Sequence, residues 1–217
     1  MKEIIRIAVD GPSGAGKSTI AKAVANKLSI DYIDTGAMYR AIGLKMIQDG
    51  VAMDDLAGIE QLLDSTEIDF VHGDIILDGV VINQFIRTPE ISKQASDCSA
   101  IAIVRKKLVA LQQAMGKKKS VIMDGRDIGT VVFPDAQYKF YITASPEERA
   151  RRRHKELLEK GQDISYEQVF KDMAQRDYND SNREVTPLRK ADDAIEIDTT
   201  DMTIEEVVKH ISEMMNE

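Results

Sequence analysis

The chain has 217 residues, of which 43% are hydrophobic and 30% charged, a composition typical of a folded globular protein with one or two domains. Its formal net charge of −8 excludes a general attraction to nucleic acid, so an anionic substrate has to be bound by a local cluster of basic side chains. The single cysteine, Cys98, excludes an intramolecular disulfide and a cysteine-based zinc site.

The first predicted element is a short apolar strand at residues 4–9, which Asp10 ends. This run is too short for the apolar part of a signal peptide and far too short to span a membrane. A single cysteine also fits a reducing compartment. We therefore expect a cytoplasmic, monomeric protein whose partners are small molecules, with no nucleic acid polymer and no membrane among them.

A glycine-rich segment, GPSGAGKS, follows at residues 11–18 and matches the pattern G-x-x-x-x-G-K-[S/T] at every fixed position. It lies between the first strand and a predicted helix at 17–28, the setting in which this pattern binds a nucleoside triphosphate. Glycines let the backbone wrap an oxyanion, and the helix N-terminus adds a positive field. Lys17 is expected to reach the β- and γ-phosphates and Ser18 to ligate Mg²⁺. The predicted ATP-binding residues are Gly11, Pro12, Ser13, Gly14, Ala15, Gly16, Lys17, Ser18 and Thr19.

The pattern alone does not separate a kinase from a GTPase, a motor or a passive nucleotide-binding protein. A regulatory GTPase needs a guanine-binding Asn-Lys-x-Asp sequence. The only Asn-Lys pair, at 26–27, is followed by Leu28 and Ser29 and lies in the predicted helix. The GTPase class is therefore rejected.

The next predicted strand, at 30–33, leads into the segment DTGAMYR at 34–40. Here a hydroxyl, a glycine and an arginine fall within one turn, and the guanidinium of Arg40 offers a bidentate fork to a phosphate. A capped helix start with a surface arginine is the alternative interpretation. The helical pattern then continues over 39–63, with a break near 49–50.

The hydrophobic period changes to that of strands at 67–71, 75–77 and 80–82. The Asp78-Gly79 joint is a strong hairpin signal because a type I′ turn needs positive φ at both central residues. These runs predict a small antiparallel meander inserted into the chain. Thr88 and Pro89 then begin one helix, as N-cap and first helical residue, and another reaches about residue 115.

A buried strand is predicted at 120–123, and Asp124 stands where it ends. That place suits a carboxylate that holds Mg²⁺ through water, together with Ser18. The segment GRDIGT follows at 125–130, and its Arg126-Asp127 pair between two glycines indicates a functional loop. A self-satisfied ion pair in a loop is the alternative.

After a strand at 138–142, two capped and highly charged helices are predicted, from Ser145 to about 160 and from Ser165 to about 178. Arg149 and Arg153 share a face of the first, at i,i+4. Such a polar hairpin is suited to close over a triphosphate and add positive charge in the transition state. A solvated, salt-bridged helix pair is the alternative. A strand at 194–197 and a helix capped by Thr203 and Glu206 complete the chain.

Alternating strands and helices predict an α/β fold with a parallel sheet between two helical layers. The segments at 11–18, 34–40, 124–130 and 176–183 together resemble bacterial cytidylate kinases, members of the nucleoside monophosphate (NMP) kinase family of P-loop proteins. The resemblance covers essentially the whole chain, including the meander. It implies a P-loop three-layer fold with three parts: a core at 1–37, 100–144 and 184–217, an NMP-binding domain with the β insert at 38–99, and a helical lid at 145–183.

The resemblance also implies the reaction, transfer of the γ-phosphate of ATP to CMP or dCMP with Mg²⁺ and lid closure. By position, Arg40, Arg126 and Arg183 match the arginines that bind the CMP phosphate. Ser96, Arg105 and Asp127 match the groups facing cytosine, and Arg176 and Asp180 those near the ribose. Thr35, also in the CMP set, stands where some members carry serine. The expected catalytic residues are Lys17, Arg126, Arg183, Arg149 and Arg153.

The chemistry of the base supports this match independently. A carboxylate such as Asp127 accepts a hydrogen bond from the cytosine N4 amino group, whereas uracil presents an O4 acceptor there. The difference is on the order of 1–3 kcal/mol in favour of CMP over UMP. Two alternatives stay open: a P-loop kinase for another small acceptor, such as UMP, another NMP or a sugar acid, and a non-catalytic ATP-binding regulator.

Overall fold

The computed structural model describes residues 4–71 and 73–215. These residues form eight strands and eight α-helices. The strands are β1 (Arg6–Asp10), β2 (Asp31–Asp34), β3 (Ile68–Val71), β4 (Asp74–Leu77), β5 (Val80–Val81), β6 (Val121–Asp124), β7 (Tyr138–Thr143) and β8 (Ile195–Asp198). The helices are α1 (Lys17–Leu28), α2 (Thr35–Asp49), α3 (Leu56–Asp64), α4 (Pro89–Cys98), α5 (Ala102–Lys118), α6 (Pro146–Glu159), α7 (Tyr166–Asn182) and α8 (Ile204–Met214).

Five strands form a parallel sheet in the order β2–β6–β1–β7–β8. Successive side chains of a strand point to opposite faces of the sheet, so each strand contributes to two cores. On β1, Ile7 and Val9 pack in one cluster with α1 and α8. Ala8 packs on the other face, in a cluster with α2, α3, α5 and the small sheet. The predicted three-layer α/β fold is therefore confirmed.

The predicted meander is confirmed as an antiparallel sheet in the order β3–β4–β5. Asp78 and Gly79 both have positive φ, 50° and 82°, as the hairpin signal requires. The Asp78 carboxylate also accepts a hydrogen bond from the Glu67 amide at 2.8 Å and pairs with Lys45 of α2, so the turn is tied to the helix beneath it. His72, in the other predicted joint, lies outside the described residues.

Several boundaries differ from the sequence-based expectation. β1 is shifted to end at Asp10, and α5 extends to Lys118 because cations in the last turn interact favourably with the free carbonyls of a helix end. The segment after Asp127 is a π-helical turn, Ile128–Val132, in which the Phe133 amide donates to the Ile128 carbonyl at 2.7 Å. Five apolar and small residues with one hydroxyl carry no helical period, so this turn was not predictable.

Helices α6 and α7 form a hairpin with a hydrophobic cluster of its own. As predicted, the hydroxyls of Ser145 and Ser165 cap them, each accepting from the backbone amide three residues on at 3.2 Å. A separate cluster is what a movable lid requires, although the division into core, NMP-binding domain and lid stays a prediction. None of the helices in the described ranges is long and apolar enough to cross a membrane.

Candidate active site

A cleft of about 1030 Å³ opens at the carboxyl ends of β1, β2 and β6. This edge of a parallel sheet is where α/β proteins bind ligands. The glycine-rich loop lines one end of the cleft, and basic side chains from α2, α5, α7 and the loop after β6 line the other. We call them the donor end and the acceptor end.

The donor end is built mainly of backbone. Gly11 has a φ of 143°, and a Cβ there would lie 2.0 Å from the Ile142 carbonyl oxygen of β7, so only glycine fits. Gly16 precedes α1 without a side-chain cap, which leaves the first amides of the helix free to bind an anion. Ser13, Gly14, Gly16, Lys17, Ser18 and Thr19 line the cleft, whereas Gly11, Pro12 and Ala15 are not among its lining residues.

Lys17 supplies the main positive charge of the donor end. Its Nζ donates to the Pro12 carbonyl at 2.6 Å, and the side chain is only 6% exposed. Burial, and next the charge of Arg126, lower the pKa of Lys17 to about 7. Among the described residues, no carboxylate lies within salt-bridge distance of this ammonium group.

Ser18 and Asp124 lie together, as their predicted shared role requires. The Ser18 hydroxyl donates to Asp124 Oδ2 at 2.8 Å, and the Tyr32 hydroxyl donates to Oδ1 at 2.7 Å. Burial, and next the charge of Asp34, raise the pKa of Asp124. A hydroxyl and a carboxylate suit a hard divalent cation. No group of three or more His, Cys, Asp or Glu side chains that could hold a metal occurs in residues 4–71 and 73–215.

Arginines line the acceptor end, and carboxylates hold several of them in place. Arg40 pairs with Asp34 at 2.9 Å, and Arg126 Nε donates to Asp180 at 2.8 Å. Burial alone would raise the pKa of Asp180, but the charges of Arg126 and, next, of Arg176 outweigh burial, so the pKa is lowered overall. Within the described part of the chain, three buried guanidinium nitrogens have no hydrogen-bond partner: Arg40 Nε, Arg176 Nε and Arg183 Nη2. A buried hydrogen-bond donor without a partner costs free energy, so the acceptor end is chemically suited to bind an anion that accepts from these nitrogens.

Asp127 and Arg105 form a buried ion pair at the far side of the acceptor end. Arg105 is 2% exposed and is fixed by two more bonds, from Nη1 to the Ser99 carbonyl at 3.0 Å and from Nε to the Thr186 hydroxyl at 2.7 Å. Arg183 Nη2 lies 3.8 Å from the other carboxylate oxygen of Asp127. The carboxylate is thus oriented from two sides.

Besides Gly11, Pro12 and Ala15 of the glycine-rich loop, two other predicted residues do not line the cleft. Arg149 lies behind the glycine-rich loop: its Nε donates to the Ala144 carbonyl at 3.0 Å and its Nη1 to the Ser13 carbonyl at 2.9 Å. It also pairs with Asp177, which accepts from the Ser13 amide at 3.0 Å. Ser96 is half-buried on α4, but the face of that helix that lines the cleft carries other residues, Ser92 and Ala95. The roles expected for Arg149 and Ser96 stay predictions.

The remaining predicted residues, Thr35 and Arg153, line the cleft. Thr35 donates its hydroxyl to the Asp124 carbonyl at 2.6 Å, and Arg153 pairs with Glu156 at 2.7 Å.

Sequence patterns assign no role to several residues that the structure brings to the site. They include Asp10, Tyr32, Arg87, Arg152 and Asp177. For Asp10, the only local signal was its position just before the glycine-rich loop. The other four residues each make a contact with a residue distant in sequence, which no local pattern indicates.

The fold and the cleft together define a P-loop kinase for a small acceptor. The architecture is shared with the shikimate kinase of Bacteroides thetaiotaomicron, whose solved structure aligns with a TM-score of 0.51 at 13% identity, covering 99% of this chain and 100% of that one. At this low identity, the similarity concerns the fold alone.

Closer relatives identify the family. The family profile described as cytidylate kinase matches residues 7–217. A cytidylate kinase of Clostridium perfringens (strain SM101 / Type A) is 51% identical over 215 residues, covering 99% of each chain. One of Clostridioides difficile (strain 630) is 53% identical over 210 residues, covering 97% of each. The chain belongs to the cytidylate kinase family, as the four sequence segments predicted.

Proposed function

We propose that this protein transfers the γ-phosphate of ATP to CMP or dCMP, producing CDP or dCDP and ADP. The observation that carries the proposal is the acceptor end of the cleft. Arg40, Arg176 and Arg183 each have a buried nitrogen there without a hydrogen-bond partner among the described residues, beside a fixed Asp127 carboxylate. A nucleotide with one phosphate and an amino-bearing base satisfies both features at once.

At the donor end, the free amides at the start of α1 and the ammonium group of Lys17 bind the triphosphate. Lys17 places positive charge beside the phosphoryl group during its transfer. Because Lys17 has no carboxylate partner among the residues that the structure describes, it does not have to break an ion pair to do so. Ser18 directly, and Asp124 through water, would hold Mg²⁺, which neutralises charge on the β- and γ-phosphates. The hydroxyl and carboxylate oxygens, 2.8 Å apart, suit this ion.

At the acceptor end, Arg40, Arg126 and Arg183 hold the CMP phosphate in line with the γ-phosphate. Arg176 and Asp180 lie near the ribose, and Arg105 and Asp127 face cytosine. Ser96, which does not line the cleft in this structure, would have to reach the base from outside the present lining. In this arrangement catalysis depends on position and on positive charge, because phosphoryl transfer needs little covalent help from the protein.

The hairpin of α6 and α7 acts as the lid. Its closure excludes water, with Arg153 on the cleft side and Arg149 behind the loop. Most lid arginines already pair with carboxylates, so closure requires some of these pairs to exchange for phosphate. We further propose a cytoplasmic monomer that has small-molecule substrates only. The single cysteine supports a reducing compartment, and the net charge of −8 speaks against a nucleic acid partner.

The direct test is a coupled assay of ADP release with ATP and Mg²⁺, run in parallel with CMP, dCMP, UMP, AMP and GMP. We expect the highest kcat/KM with CMP or dCMP. A higher value with another acceptor would identify a different small-molecule kinase. ATP binding without phosphoryl transfer to any of the five would favour a regulator and overturn the proposal.

Base selectivity is tested by Asp127→Asn. An asparagine carries a donor as well as an acceptor and can rotate to serve uracil O4, so we expect the kcat/KM ratio of CMP to UMP to fall roughly 10- to 100-fold. Asp97→Asn, an exposed carboxylate on α4, is the matched control. If both activities of Asp127→Asn fall together at a constant ratio, Asp127 does not select the base.

A further inference from the structure

The start of the π-helical turn has an unusual arrangement. Asp127 occupies the N-cap position, where aspartate is among the favoured residues because its carboxylate can accept the free amides of the first turn. Asp127 makes no such side-chain bond. Its backbone carbonyl accepts from the Val131 and Val132 amides, at 2.9 and 3.2 Å, while its carboxylate turns away to pair with Arg105.

Another carboxylate caps the turn instead. Asp10, the last residue of β1, accepts from the Ile128 amide with Oδ1 at 2.9 Å and from the Gly129 amide with Oδ2 at 2.7 Å. Strand pairing fixes this position, since β1 lies beside β6 and the Gly125 amide donates to the Val9 carbonyl at 2.9 Å. Both oxygens of Asp10 are therefore used, and the group is 4% exposed.

We propose that Asp10 is a positioning residue for acceptor selectivity: by capping the π-helical turn from β1, it leaves the Asp127 carboxylate free to face the base. The inference rests on the proposed function, because selection of cytosine by Asp127 is part of it. Asp10 touches neither nucleotide in this role and acts only through Asp127.

Two properties of Asp10 favour this role over simple packing. A polar group at this depth costs free energy unless its bonds are specific, and here each oxygen has one amide donor. Burial raises the pKa of Asp10 to about 6, which leaves the carboxylate ionised, with two acceptors, at neutral pH. When one acceptor is lost, a freed amide of the turn competes with Arg105 and the base for the Asp127 carboxylate, because the carboxylate of an N-cap aspartate is a favoured acceptor for the amides of the first turn.

The test is Asp10→Asn, which keeps the shape but replaces one acceptor oxygen with an amino group facing an amide donor. We expect a fall of roughly 10-fold in the CMP-to-UMP ratio of kcat/KM, with a raised KM for CMP. The dissociation constant of a fluorescent ATP analogue should change less than about threefold, on the scale of one indirect contact. The control is Asp55→Ala, which removes the exposed aspartate cap of α3, outside the cleft lining, and should leave the ratio unchanged.

A double variant separates positioning from general damage. If Asp10 acts through Asp127, the double variant Asp10→Asn/Asp127→Asn has the same CMP-to-UMP ratio of kcat/KM as Asp127→Asn alone, because the effects of coupled residues are not additive. A folded Asp10→Asn protein with an unchanged ratio, or effects that multiply in the double variant, would overturn the inference.

Should Asp10→Asn fail to fold, hydrogen exchange of the wild-type protein decides: slow exchange of the Ile128 and Gly129 amides supports the cap, and unprotected amides overturn it. Failure of the proposed function is recognised separately, since wild-type protein would then show no preference for CMP at all.

Discussion

The two ends of the cleft handle charge in opposite ways. At the donor end, Lys17 is buried and donates to the Pro12 carbonyl, with no carboxylate in salt-bridge distance among the described residues. At the acceptor end, Arg105 is paired with Asp127 and Arg126 with Asp180. Within the described part of the chain, the donor end thus holds a lysine without a counter-charge, whose protonated form an incoming anion would stabilise, whereas the acceptor end holds most of its arginines in position with built-in counter-charges.

This difference separates binding strength from selectivity. An unpaired lysine gains most when a triphosphate arrives, and backbone amides around it bind any phosphate alike. Paired arginines present fixed geometry, and the same carboxylates that orient them can contact the base or the sugar. We expect substitutions at the acceptor end to affect folding and selectivity, and substitutions at the donor end to affect turnover.

The largest expected effect is on stability, from Arg105→Ala. Removing this arginine leaves Asp127 buried without its closest partner, which typically costs about 3–5 kcal/mol of folding free energy. Urea unfolding measures it. The control is Arg151→Ala, which breaks an exposed pair with Glu148 and should cost less than about 1 kcal/mol. Equal losses of folding free energy in the two variants would show that the buried Asp127 carboxylate does not depend on Arg105 more than an exposed carboxylate depends on its partner.

Lys17→Ala should give the next largest effect, which we expect on turnover and not on folding stability. Loss of a charge aimed at the transferring phosphoryl group is expected to lower kcat about 100- to 1,000-fold. Unfolding by urea should be little changed, since no carboxylate loses a hydrogen-bond partner. Lys22→Ala, an exposed position of the same helix, is the control. Strong destabilisation by Lys17→Ala would remove the contrast between the two ends.

The same contrast explains what was predictable from the sequence. The donor end is one contiguous segment whose residue types follow from local backbone geometry, so the loop, Lys17 and Ser18 could be assigned at once. The meander was equally local, because its turn chemistry is specified by Asp78 and Gly79. At the acceptor end, local patterns singled out Arg40 and the Arg126-Asp127 pair as site residues, and the resemblance to the cytidylate kinases supplied their individual roles.

Local sequence patterns could not predict hydrogen bonds between residues that are far apart in the chain. The bond from Asp10 to the π-helical turn joins residues 118 and 119 positions apart, and that from Ser13 to Asp177 joins residues 164 apart. No period or motif encodes such distances, since they depend on strand order and on the docking of α7. For the same reason, the sequence could not indicate that Arg149 lies behind the loop.

The smallest predicted effect concerns how the lid supports the donor end. Asp177 of α7 accepts from the Ser13 amide at 3.0 Å and pairs with Arg149, which donates to the Ser13 carbonyl at 2.9 Å, so both polar groups of residue 13 are held from behind. Asp177→Ala removes one hydrogen bond and one pair, worth on the order of 1–2 kcal/mol. We therefore expect KM for ATP to rise roughly 5- to 20-fold, with the CMP-to-UMP ratio unchanged because no acceptor-end contact is lost. Asp172→Ala, an exposed carboxylate on the same helix, should change neither quantity. A shift in the CMP-to-UMP ratio without a shift in KM for ATP would mean that α7 serves the acceptor end alone, and that the two ends are not supported separately.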